Sequence, residues 1–143
     1  MIPRTLLIAA GAFDGLSAQQ VATAISRGLL AGGWPTEECP LEGLKQPGAD
    51  VSAVLNALDF DTRMRRARAV VIAQQRLDER TLASSVAFEI ATRARQAGVP
   101  AYALAGESML GAFDARILDL QVILEASTAR ALQAAARRLA RLV

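Results

Sequence analysis

No histidine occurs among the 143 residues, and there is a single cysteine, Cys39. Without an imidazole the chain lacks the usual general base and the usual metal ligand, so Ser-His-Asp and Cys-His mechanisms are excluded within it. One cysteine excludes an internal disulfide and a cysteine metal cluster. A metal would have to rest on carboxylates and would suit Mg²⁺ rather than Zn²⁺; no metal site is expected. Lysine is as scarce. The only one, Lys45, sits in Leu41-Glu42-Gly43-Leu44-Lys45-Gln46-Pro47, which lacks the GxxxxGK(S/T) order of a phosphate-binding loop and excludes a P-loop NTPase. No apolar run approaches the roughly 20 residues of a membrane span. The opening Met1–Ala10 segment carries one arginine and an apolar run shorter than a signal-peptide core. It reads as a first buried strand, with a cytoplasmic location expected.

What is present fits one α/β domain over residues 1–143. Hydrophobic residues make up 52% and charged residues 21%, a globular balance. Strand and helix patterns alternate. Strand one covers about Thr5–Ala10, and Ser17 caps a helix to about Ala31 with Val21, Ala24, Ile25, Gly28 and Leu29 on one face. Gly32-Gly33 stops it. A polar second strand near Glu37–Leu41 suits a sheet edge. Gln46-Pro47-Gly48 breaks the chain, Asp50 caps the next helix, and Phe60–Arg66 forms a short helical turn. Ala69–Ala73 is strand three, Thr81–Ala97 a long helix ended by Gly98, and Pro100–Ala105 strand four. Met109–Ala115 is a short helix, Leu120–Leu124 strand five, and Thr128–Leu142 the closing helix. Repeated β-α-β units predict a three-layer, Rossmann-like or flavodoxin-like fold. About five parallel strands in the order 2-1-3-4-5 are flanked by helices on both faces.

Val70-Val71-Ile72-Ala73 runs apolar without alternation, as in a strand covered on both faces. The polar residues after it, Gln74, Gln75, Arg76 and Asp78, are expected in a turn beyond its carboxyl end, where ligands of open α/β sheets bind. Arg76 could hold an anion there or order the turn by pairing with Asp78 or Glu79. Asp78 could serve a site or favour the N-terminus of the helix beginning near Thr81. Gly106-Glu107-Ser108 is expected to open a helix whose N–H groups could meet an anion, although Glu107 opposes one. The Arg63, Arg65, Arg66, Arg68 run lacks interleaved aromatics and follows Asp59 and Asp61, and the net charge is only +2. It reads as a solvated helix face, as do Arg137, Arg138 and Arg141, which also suit the negative end of the last helix. No nucleic-acid or membrane partner is expected.

These residues resemble the bacterial glycerate kinase family, which phosphorylates D-glycerate with ATP. Leu7–Ala18 is similar to the family's opening strand and loop, and Gly48–Asp61 to a later helical region. Arg76-Leu77-Asp78-Glu79-Arg80-Thr81-Leu82 resembles the "GEGRLDxQTL" motif, and Ala97–Gly106 resembles "AGVPVVALAG". The resemblance implies a catalytic role for Asp78 in substrate or metal handling. It also exposes departures. The family's loop lysine is Asp14 here, and aspartate repels phosphate. The glycines of "GEG" are replaced by Ala73-Gln74-Gln75, which add bulk where backbone would approach a phosphate. The domain inserted in family members is missing after Pro40-Leu41-Glu42-Gly43-Leu44, and with it a cleft that would exclude water.

The resemblance therefore implies a truncated glycerate-kinase-like domain without kinase activity, acting as a small-ligand-binding or partner-binding module. Asp14, Gln74, Gln75, Arg76 and Gly106 are its candidate ligand-binding residues, for a small anionic or hydroxy-acid ligand. The alternatives are residual kinase activity, with ATP, Mg²⁺ and a partner chain supplying the missing domain, and a structural or oligomerising role. Otherwise no cofactor is expected. Apolar faces bared by the lost domain predict a homodimer or a complex with another protein. Asp14 and Arg76 are expected to approach each other across neighbouring loops, and Asp14→Lys to raise anion affinity.

Overall fold

The apolar runs assemble as the inner strands of one sheet. In the computed structural model, which describes residues 4–42, 50–78 and 86–143, the sheet strands are β1 (Leu6–Ala10), β2 (Thr36–Pro40), β3 (Ala69–Leu77), β4 (Ala101–Ser108) and β5 (Leu120–Glu125). They run parallel in the order β2-β1-β3-β4-β5, as the sequence predicts. The order reverses between β1 and β3, so their carboxyl ends flank the crevice where such sheets bind ligands.

Helices cover both faces. One face packs Leu6, Ile8, Val71 and Leu104 against α1 (Ala18–Ala31) and α6 (Ala129–Leu139). The other packs Leu7, Val70, Ile72 and Ala103 against α2 (Val51–Ala57), α3 (Phe60–Arg65) and α4 (Val86–Ala97), with Phe60, Met64 and Ile90 buried between. The short α5 (Ala112–Ile117) leads into β5.

Local chemistry explains the boundaries. The Ser17 hydroxyl accepts from the Gln20 N–H, and the Gln20 side chain accepts from the Ser17 N–H, a reciprocal capping box. Asp50 and Thr128 cap α2 and α6 through the Ala53 and Ala131 N–H groups. The polar strand β2 lies at the sheet edge, and helices on opposite faces take up its two glutamates. Glu37 pairs with Arg63 of α3, while Glu38 accepts from Thr23 Oγ1 (2.9 Å) and Gln19 Nε2 (3.0 Å) of α1. Arg63 is thus drawn into the fold, whereas Arg65, Arg66 and Arg68 are exposed as expected.

Two strands differ from the sequence reading in a way that matters for the site. β3 continues four residues beyond Ala73, and β4 three residues beyond Ala105. The extensions pair with each other, Arg76 opposite Glu107 and Leu77 opposite Ser108. The polar tail expected as a turn is therefore strand, because β4 offers it a continuous backbone ladder that local sequence does not reveal. The closing helix is also shorter, ending at Leu139. The Gln46-Pro47-Gly48 break, Lys45, Glu79 and the expected helix start near Thr81 lie outside the described residues.

Candidate functional site at the carboxyl edge

Val71 and Ala73 pack on the α1 side and Val70 and Ile72 on the side of α2 and α4, and Gln74, Gln75 and Arg76 follow them at the carboxyl edge of β3. Each of the three does something different.

Gln75 closes the α1 side. Its Oε1 accepts from the backbone N–H of Asp14 at 2.8 Å, across the loop that joins β1 to α1. Its amide also lies against Gly106 of β4, so closely that a Cβ added there would collide with Gln75 Nε2 and with the Gln75 backbone carbonyl at 2.8 Å. Gly106 therefore makes room for a protein side chain. The expectation that Gly106-Glu107-Ser108 opens a helix is corrected: all three belong to β4, and the next helix starts at Ala112 after Gly111.

Arg76 pairs with Glu107, Nη2 to Oε2, at 3.2 Å. The expected Asp14–Arg76 bridge is thus corrected. The two loops do meet, but through the neutral Gln75 amide, and the arginine is held by the carboxylate directly opposite it in the β3–β4 ladder. With both side chains about half exposed, the pair contributes under about 1 kcal/mol. The N–H of Ser108 is also occupied, by Glu125 Oε2 at 3.3 Å. Asp14 is exposed midway along the loop between β1 and α1, and Asp78 is half-buried just after β3.

Between these elements lies a cavity of about 330 Å³, lined by Gly11, Ala12, Leu41, Gln74, Arg76 and Val86 among others. Of the sequence candidates, Gln74, Gln75 and Arg76 come together here, with Asp14 and Gly106 behind Gln75. Sequence reasoning missed Leu41 as a wall residue and Glu107 as the arginine's partner. The opposite charges of Arg76 and Glu107, each just past an apolar run, were the available signal for two paired strand ends. Among the described residues no cluster of three metal-ligating side chains occurs, and no helix is long and apolar enough to cross a membrane.

The model of the glycerate kinase family matches residues 39–143. A solved protein assigned as glycerate kinase 2 from Salmonella typhimurium LT2 is 14% identical over 75% of this chain, with a TM-score of 0.49. The chain spans 27% of that protein's length. A diflavin flavoprotein A3 from Nostoc sp. is 13% identical over 99% of this chain and 94% of its own, with a TM-score of 0.51, a likeness of fold. No curated protein matches.

Proposed function

The chain belongs to the glycerate kinase family, and we propose that it is a member without kinase activity whose carboxyl edge serves as a small-ligand-binding module. The observation that carries this reading is the Gln75 side chain, which takes the Asp14 N–H that a phosphate would need. The groups at the edge do not fit the phosphates of ATP. A phosphate site gathers free N–H groups and unpaired cations; here Gln75, Glu107 and Glu125 occupy them. Ten residues separate Pro40 from Val51, too few for the domain that family members insert at this point. The role proposed requires neither ATP nor Mg²⁺, and we place it in the cytoplasm.

A coupled assay with ATP, Mg²⁺ and D-glycerate tests the loss of activity. The expected outcome is no glycerate-dependent turnover; turnover on the order of 1 s⁻¹ or faster would contradict it. Thermal shift against small molecules tests the binding role, since a ligand selective for the native state raises the melting temperature.

A second reading, self-association, is favoured by one observation. Met109 and Phe113, four residues apart, are 66% and 74% exposed, an apolar pair beside the same edge.

A further inference from the structure

The cavity at the carboxyl edge has a chemistry of its own. Its walls at Gly11, Ala12, Leu41, Ala73 and Val86 are apolar or small. Into this setting β3 sends Gln74, whose Oε1 is buried without any hydrogen-bond partner, the one such side-chain atom among the described residues. A buried acceptor left unpaired costs free energy comparable to a lost hydrogen bond, so its persistence calls for an explanation. The surroundings disfavour an anion as its partner. The one charged side chain lining the cavity, Arg76, is already paired with Glu107. A carbonyl oxygen attracts a donor, and a cation already paired with a carboxylate offers an anion little.

From this we infer that the cavity takes a small uncharged molecule which donates an O–H or N–H to Gln74 Oε1 and rests its apolar body on Leu41 and Val86. The inference rests on the ligand-binding reading above and names its ligand class. It also replaces the anionic or hydroxy-acid ligand that the sequence suggests. Gln75 and Glu107 occupy groups that could meet an anion, and Gln74 supplies an acceptor beside them.

Matched probes that differ chiefly in negative charge test it on the full chain. Glycerol is set against glycerate, and adenosine against adenosine monophosphate, each at equal concentration. The readout is the side-chain amide of Gln74 and nearby backbone amides in ¹⁵N-resolved NMR spectra. The expected result is saturable shifts with a neutral member and at least tenfold weaker binding of its charged counterpart. Gln74→Met, which keeps the length but removes the acceptor, should weaken neutral binding by about tenfold while leaving the unliganded protein as stable or more so. Gln74→Leu, a second route should Met perturb packing, also removes the acceptor and should weaken neutral binding without restoring the anionic probe. Preference for the charged members would overturn the inference and leave ligand binding standing. Neutral binding undiminished in both variants would also overturn it. No saturable shift from any of the four probes would overturn the inference together with the ligand-binding reading.

Discussion

Cys39 lies on β2 with 1% of its surface exposed, and burial pushes its thiol above the ordinary value of 9.0. Glu37 acts in the same direction, while the nearby Arg63 guanidinium pulls against it. A thiol held in its neutral form is a poor nucleophile, so native protein should react slowly with a disulfide reagent at neutral pH and quickly once unfolded. The sign of the pH effect follows. A folded pKa raised above the unfolded one favours the protonated native state, so this contribution is intact below about pH 9 and lost as pH rises beyond it. Denaturant melts at pH 8 and pH 10 should show it, and Cys39→Ala should flatten the difference. At the site, it is Gln75 that takes the Asp14 N–H, and Arg76 pairs with Glu107. Asp14→Lys alone should therefore raise phosphate affinity little, whereas Asp14→Lys with Gln75→Gly, which frees the Asp14 N–H, should raise it clearly. A titration in which the single Asp14→Lys change gives the full gain would contradict that assignment.

Elements are joined here by two contrasting devices. Arg93 of α4 binds Glu89 Oε1 and Asp61 Oδ1 at 3.1 Å each, Asn56 Oδ1 at 3.2 Å and Ser52 Oγ at 3.0 Å. One guanidinium thus ties together three helices, and Arg93→Ala should destabilise by about 1–2 kcal/mol, discounted for its partly exposed partners. On the opposite face α1 approaches α6 most closely at Gly28, with Gly32 just beyond. A Cβ on Gly28 would strike the Gln133 carbonyl and Ala136, and one on Gly32 would strike Ala140. Gly28→Val should therefore cost about 3 kcal/mol or more, through displacement of backbone rather than rotamers; an unchanged denaturation midpoint would refute the close packing. The caps at Ser17, Asp50 and Thr128 were legible because each is a local hydrogen-bonding rule. The lengths of β3 and β4 were not. Gln74, Gln75, Arg76, Glu107 and Ser108 have turn-like polarity, and only their pairing with each other makes them strand. Since these five residues form much of the site, the same non-local pairing hid its geometry. The expected ion pair failed for that reason: its arginine had a partner across a ladder that no single segment displays.

At the scale of the whole molecule the strand order was legible, because repeated β-α-β units and right-handed crossovers leave few arrangements. The edge position of β2 was legible too, from its glutamates. The association of chains belongs to this scale. Met109 and Phe113 should draw two copies together, giving a dimer in sedimentation at micromolar concentration and a monomer for Phe113→Ser; a wild-type monomer would rule that contact out. On the proposed reading, Gln75, Glu107 and Glu125 occupy the groups at this edge that would otherwise meet a phosphate. The most direct measurement is the backbone amide signal of Asp14 during titration of the native protein with inorganic phosphate and with ATP–Mg²⁺. The account predicts that this signal stays in place at millimolar concentrations of either. A saturable shift of the Asp14 amide would show that the edge still binds phosphate, and would contradict it.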